Sequence, residues 1–333
     1  MTSRPLYAWT SHAFTVPLPA HHRLPIAKYA VLVERLITDG VLDLAHVHAS
    51  RLAPREWLEA AHDQDYVERV FEGRFDDAEI RRLGIPWSPQ LVARARAAVF
   101  GTVSAARAAL VHGVAGNLAG GSHHAFRDRG EAFCLFNDLA VAIVTLRAEG
   151  RLRRPFVLDL DVHQGNGTAA IFAGDPSVFT FSIHGESNYP SRKMAGSLDL
   201  GLRNGTGDEA YLEALERHLP AALDHHEPDF VFYQAGVDAL TEDALGQLAL
   251  TRAGLRARDA RVFACCETRA LPVAITLGGG YSRPHDASIE AHLGVWREAR
   301  TARRKRPAVA AVDDPVDAVH MRAEPLTRNT SPS

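Results

Sequence analysis

The chain has 333 residues, 46% of them hydrophobic, and a formal net charge of −3. Such a length and apolar content support a large buried core, and the near balance of charge gives no electrostatic basis for binding nucleic acid or an anionic membrane. No apolar run approaches the roughly 20 residues needed to span a bilayer. The opening MTSRPLYAWTSHAF lacks the apolar core of a signal peptide. Three cysteines, Cys134 and the adjacent Cys265 and Cys266, suggest no disulfide framework. A reducing, cytoplasmic setting is expected.

Short apolar runs alternate with longer amphipathic ones. In chain order, helical character over 88–113 is followed by a strand-like VAGNLAG (114–120) and a helical 137–150. Strand-like FVLDLDV (156–162) and VFTFSIH (178–184) come next, then a helical 208–226, and finally DFVFYQAG (229–236) and VAITLGGG (273–280). This alternation predicts one α/β domain: a mostly parallel sheet with helices on both faces. Neither an internal repeat nor a linker divides it. From about Arg300 the composition turns to Pro, charge and small residues, so residues 1–299 are read as the folded domain and 300–333 as a disordered tail. The RRKR within that tail reads as a solvated basic run.

The run VLDLDVHQGNG (157–167) sets the functional question. Val157, Leu158, Leu160 and Val162 suit a buried strand, yet Asp159, Asp161 and His163 interrupt it at two-residue spacing. Side chains two apart share one face of a strand, and burying unpaired charges costs several kcal/mol or more. In open α/β sheets, ligands bind beyond the carboxyl ends of the strands, and the other polar oddities fall there too: Asp238 after FVFYQAGV, His123 and His124 after VAGNLAGGS, Tyr281 after VAITLGGG. Alone, each has an ordinary reading as a helix cap, a tight turn or a structural histidine. Together, Asp161, His163 and Asp238 make an O/N/O set for a divalent metal, and three protein ligands with an open position describe a catalytic zinc site. Such an ion offsets the buried acids. Asp159 then orients a histidine or helps hold a monovalent cation.

The segments GGSHHAFRDRGEAFCLFND, VLDLDVHQGNGTAAIF, FTFSIH, YQAGVDAL and LGGGY resemble, in content and order, the zinc-dependent histone deacetylases, whose fold is arginase/deacetylase-like. HHRLPIAKYAVLVERL and IPWSPQLV are most similar to class IV and its bacterial relatives. The resemblance spans roughly residues 5 to 297. It implies Asp161, His163 and Asp238 as zinc ligands. His123 and His124 become the tandem pair beside the attacking water, with His123 facing Asp159 and His124 facing Asn166. A carboxylate partner favours the imidazolium more than an amide does, which makes His124 the principal general base and acid and His123 mainly electrostatic. Tyr281 is implied as the oxyanion donor. Phe133 and Tyr189 become walls of an acyl-lysine channel, with Leu245 at its rim. A potassium ion is implied near Asp159, Ser182 and main-chain oxygens around Asp161, His163 and Ile183.

Two departures stand out. Ala132 occupies a position where the family usually has glycine, at the channel floor, so its methyl is expected to shape acyl choice. No secure match exists for the acidic residue that grips the substrate backbone in other members; Asp76, Asp77 and Glu79 are nearby candidates. The expected activity is removal of acetyl or longer acyl groups from the ε-amine of lysine in proteins or peptides, with acetylpolyamines or other small amides as the alternative substrate. A two-manganese ureohydrolase is disfavoured because GVDAL offers one aspartate followed by apolar residues. A non-catalytic acyl-lysine binder is disfavoured because every ligand and the tyrosine are present.

Overall fold

A computed structural model describes residues 5–19 and 22–305. Among these, eight strands form a single sheet: β1 (Tyr7–Thr10), β2 (Val47–Ala49), β3 (Val114–Asn117), β4 (Pro155–Asp159), β5 (Phe179–Gly185), β6 (Leu198–Leu202), β7 (Phe230–Gln234) and β8 (Val273–Thr276). Their order is β2-β1-β3-β8-β7-β4-β5-β6, and every neighbouring pair is parallel. The helices are α1 (Lys28–Thr38), α2 (Arg55–Ala61), α3 (Gln64–Glu72), α4 (Asp77–Leu83), α5 (Pro89–His112), α6 (Asp138–Ala148), α7 (Asn166–Ile171), α8 (Asp208–His226), α9 (Arg252–Thr268) and α10 (Asp286–Lys305).

The apolar strand sequences follow from burial on both faces. Along β4 and β7 side chains alternate between two cores. Val157, Phe230 and Phe232 pack with residues of α2, α3, α5 and α6. Phe156, Leu158, Val231 and Tyr233 pack with α1, α8, α9 and α10 on the other face. Local signals set the helix ends: Ser88 caps α5 by accepting from Leu91 N at 3.1 Å, with Pro89 in the first turn.

The expected strands and the three expected helices are all present, and the sheet is wholly parallel. Three further strands lie at or next to its edges. β1 and β2 are only four and three residues long, and β6 is half exposed along its length. At the other end of the chain, α10 continues to Lys305, so residues 300–305 are helical rather than tail. The physical reason is burial, since Ala299 and Ala302 both pack into the core. Residues 306–333 lie outside the described residues.

Because β3, β8, β7 and β4 are adjacent and parallel, the segments leaving their carboxyl ends meet side by side. A buried cation braces this edge from below. Arg258 of α9 is fully buried; its Nη1 donates to Leu160 O at 3.2 Å and to Gly236 O at 2.7 Å, each just beyond a strand end. Its charge is met by Asp259, which also accepts from the Tyr233 hydroxyl. Removing one partner of a buried pair leaves the other charge uncompensated, so Arg258→Met is expected to cost about 3–5 kcal/mol. Denaturant unfolding checks this; a loss within about 1 kcal/mol would show that the clamp is dispensable.

Candidate active site

Three buried side chains converge beyond β4 and β7. The ligand atoms of Asp161, His163 and Asp238 all lie within 4.8 Å of one another. His163 Nδ1 stands 3.0 Å from both Asp161 Oδ1 and Asp238 Oδ2. Backbone donors fix the remaining carboxylate oxygens: Val162 N donates to Asp238 Oδ1 at 2.8 Å, and Gly279 N to Asp161 Oδ2 at 2.7 Å. Burial, reinforced by Asp161, pushes Asp238 up to about 7. Burial opposes charge on His163 as well, but the two carboxylates raise it to about 10. The pocket therefore demands positive charge at the point where the three groups meet, and an O/N/O donor set fits a divalent ion there.

Gly279 permits this approach. A Cβ on it would stand 1.8 Å from Asp238 Oδ2 and 2.9 Å from Asp161 Oδ2. The LGGGY segment thus lays bare backbone against both carboxylates before delivering Tyr281. Asp243 fixes that delivery by accepting from Tyr281 N at 2.6 Å. The Tyr281 ring stands 6.2 Å from the His163 ring, nearly perpendicular to it. Burial, then Asp161 and Asp238, hold its hydroxyl protonated well above the ordinary range.

The tandem histidines sit on the loop after β3 with their rings 4.1 Å apart. His123 Nδ1 lies 2.6 Å from Asp159 Oδ2, whereas His124 Nδ1 lies 2.7 Å from Asn166 Oδ1. The unequal partners give unequal rings. Burial disfavours charge on His123, but Asp159 and Asp161 override it and raise the ring to about 9. Burial, together with His123 and His163, drives His124 well below its usual value. One imidazole is held charged and its neighbour neutral.

Glu131 and Cys134 exchange backbone hydrogen bonds, 3.0 and 2.9 Å, closing a tight turn. Its two central residues, Ala132 and Phe133, have φ of 45° and 69°. This is the left-handed geometry of a type I′ turn, which favours glycine. The end of α4 pins it: Ala132 N donates to Arg82 O at 3.0 Å, and Phe133 N to Leu83 O at 2.7 Å. Ala132 is thus a strained backbone position as well as part of the pocket wall.

Ala132, Phe133, His123, His124, Asp161 and Tyr281 line one cavity of about 100 Å³, together with Leu18, Leu24, Ile26 and Leu91. Tyr189 and Leu245 do not line it. Tyr189 stands outside, half exposed, with its ring centroid 5.0 Å from that of His124. Leu245 lies on a neighbouring loop, where its carbonyl accepts from Asn188 Nδ2 at 2.8 Å. Asp159 and Ser182 are direct register partners on β4 and β5, and Ser182 Oγ lies 2.9 Å from His184 Nδ1.

Asp76 and Glu79 are occupied locally. Asp76 caps α4 by accepting from Glu79 N at 2.8 Å, and Glu79 returns the bond to Asp76 N at 3.0 Å. They form a capping box, so nothing in their bonding singles them out for substrate. Three positioning groups escape sequence reasoning. Asp138 accepts from Gly121 N at 3.0 Å and Ser122 N at 2.7 Å, and Gln234 Nε2 donates to Gly121 O at 2.8 Å; together they hold the histidine loop. Asp243 does the same for Tyr281. Only Gln234 carried a signal, an amide inside the apolar run FVFYQAG; Asp138 and Asp243 each follow another polar residue.

The carboxyl edge of this parallel α/β sheet thus carries a buried O/N/O donor set that could hold a divalent ion. Residues 22–295 match the histone deacetylase domain. The chain is 45% identical over 287 residues to an uncharacterized protein of Picosynechococcus sp., covering 86% of this chain and 96% of that one. It is 31% identical to a histone deacetylase-like amidohydrolase of Pseudomonas aeruginosa, covering 82% and 78% of the two chains. The crystal structure of an HDAC homolog from Aquifex aeolicus superposes with a TM-score of 0.79 at 26% identity, over 91% of this chain and 86% of that one. The chain belongs to the histone deacetylase family and is an amidohydrolase of that family.

The positive φ at Ala132 gives a direct prediction. Glycine adopts this geometry without the steric penalty that a Cβ incurs, so Ala132→Gly is expected to stabilise the fold by about 1 kcal/mol. A melting temperature equal to or below the parent's would show that the turn carries no such strain.

Proposed function

We propose that this protein hydrolyses the acetyl-type amide on the ε-amine of lysine in a protein or peptide. The observation that carries the reading is a pair of adjacent imidazoles, one paired with a carboxylate and one with an amide, opening with Tyr281 onto a single cavity beside a three-ligand metal pocket. Asp161, His163 and Asp238 are the groups that would hold zinc. When bound, zinc supplies Lewis acidity toward the amide carbonyl and the attacking water.

The chain's own residues account for the proton movements. His124 donates its Nδ1 proton to Asn166 and so presents Nε2 as an acceptor. Its neutrality suits it to take a proton from the attacking water and return it to the leaving amine. His123, held charged by Asp159, contributes a fixed positive field beside the reaction. Tyr281 donates its hydroxyl proton in a hydrogen bond to the carbonyl oxygen as negative charge develops there. Water adds to the carbonyl carbon, the C–N bond breaks, and a carboxylate and a free amine result. Phe133 guides the stem of the side chain, with Tyr189 and Leu245 assigned to the outer rim.

A benzene-sized ligand fills an apolar cavity of roughly 150 Å³. A space of about 100 Å³ beside the metal pocket therefore suits a short acyl chain. Potassium is proposed near Asp159 and Ser182, supported by their register across β4 and β5. The setting proposed for the reaction is cytoplasmic.

Turnover of acetyl-lysine, medium-chain acyl-lysine and acetylpolyamine substrates tests this assignment: acetyl-lysine peptides are expected to be hydrolysed fastest, and a clear preference for acetylpolyamines would replace the peptide assignment. Within it, Tyr281→Phe is expected to fold normally, bind peptide, and lose on the order of 10²–10³ in kcat, the loss of one oxyanion donor. His124→Ala is expected to lose roughly 10²–10⁴, and more than His123→Ala. A folded Tyr281→Phe protein within about threefold of the parent would remove the hydroxyl from the chemistry.

A further inference from the structure

Next to His124 lies a carboxylate for which the reaction has no use so far. Glu131 opens the strained turn described above, and its side chain is 12% exposed. One oxygen, Oε1, accepts from two groups that flank His124: Asn166 Nδ2 at 3.0 Å, and the Tyr189 hydroxyl. Its other oxygen, Oε2, stands 3.6 Å from Arg129 Nε. The same Asn166 presents Oδ1 to His124 Nδ1 at 2.7 Å.

We propose that Glu131 is a positioning residue that sets the tautomer of His124 through the orientation of the Asn166 amide. The inference rests on the amidohydrolase reading, in which His124 accepts a proton at Nε2. An asparagine side chain is a donor at one end and an acceptor at the other, and nothing in its shape prefers either end. Asn166 facing His124 alone could present either group. If it presented Nδ2, the ring would need its own proton on Nε2, and no base would face the water. An ionised carboxylate removes the choice because it only accepts. Flipping the amide would set Asn166 Oδ1 against Glu131 Oε1, two acceptors within hydrogen-bonding distance. Glu131 therefore holds Nδ2 toward itself and Oδ1 toward His124 Nδ1, leaving Nε2 free.

Tyr189 takes part from the other side. Its hydroxyl shares the Glu131 oxygen, and its ring lies nearly perpendicular to the His124 ring, at an interplanar angle of 87°. A half-exposed aromatic wall and the partner of a catalytic histidine are thereby tied to one carboxylate.

The experiment uses the full-length, metal-loaded enzyme with ¹⁵N-labelled histidine, an acetyl-lysine peptide, and the variants Glu131→Ala and Glu131→Gln. In the parent, His124 is expected to carry its proton on Nδ1. Glu131→Ala is expected to populate the Nε2-protonated form and to lower kcat about tenfold, the effect of one lost charged hydrogen bond, with KM within about threefold. Glu131→Gln replaces a group that only accepts by an amide that can present either end to Asn166, and is expected to populate the Nε2-protonated form and to lower kcat by about threefold to tenfold. In an Asn166→Asp background, where both oxygens are alike, Glu131→Ala is expected to cost nothing further. The proposal is overturned if Glu131→Ala keeps the parent kcat and tautomer, or if its loss persists undiminished in the Asn166→Asp background. A folded Glu131→Gln protein that keeps the parent kcat and only the parent tautomer overturns it as well, whether or not the alanine variant folds. A parent that hydrolyses no acetyl-lysine peptide counts against the functional reading instead, and the tautomer measurement then decides the role of Glu131.

Discussion

Two carboxylates held in contact with one imidazole nitrogen, out of reach of solvent, are the constraint around which the rest of the structure is arranged. Asp161 and Asp238 repel each other, and burial raises the cost of charging either. Only positive charge between them settles the arrangement, whether a proton on His163 or a divalent ion in its place. The fold supplies the geometry at low conformational cost. β4 and β7 are neighbours, so both acids leave the sheet side by side, and β8 delivers the glycine strip that closes over them. Beneath them the Arg258 guanidinium ties the backbone ahead of Asp161 and Asp238 to a helix on the outer face.

Around that centre the sequence makes different groups from the same side chain. His123 and His124 are adjacent in sequence and in space, yet one partner is a carboxylate and the other an amide. Environments that separate the protonation states of two like groups divide acid, base and electrostatic roles between them. The positioning groups behind them work through main-chain bonds. Asp138 and Gln234 grip the loop at Gly121 and Ser122, Asp243 grips Tyr281, and the end of α4 grips the turn at Ala132 and Phe133.

The central strands and the convergence of Asp161, His163 and Asp238 were legible in sequence because charge at two-residue spacing inside a buried strand has few explanations. Asp161, His163, Asp238 and Tyr281 each followed an apolar run, so parallel topology alone sufficed to collect them at one edge. The edge strands were not legible: Val47–Ala49 is too short to show a period, and Leu198–Leu202 is only half buried. Asp138 and Asp243 were missed because hydrogen bonds to backbone N–H groups leave no pattern in residue spacing. At Ala132 the sequence showed a methyl where glycine is usual and suggested a pocket effect; the backbone dihedral, which composition does not encode, adds a strained turn. The limit of the folded domain was placed too early because a basic run masked the last turn of a helix whose alanines are buried.

The central claim is that Asp161, His163 and Asp238 hold one catalytic divalent ion. Metal analysis of the full-length protein, combined with its hydrolysis of an acetyl-lysine peptide before and after chelation, tests it most directly. The account predicts one zinc per chain, loss of hydrolysis when the metal is stripped, recovery with one equivalent returned, and no zinc retained by Asp238→Ala. Two metals per chain, or undiminished hydrolysis by metal-free protein, would contradict it.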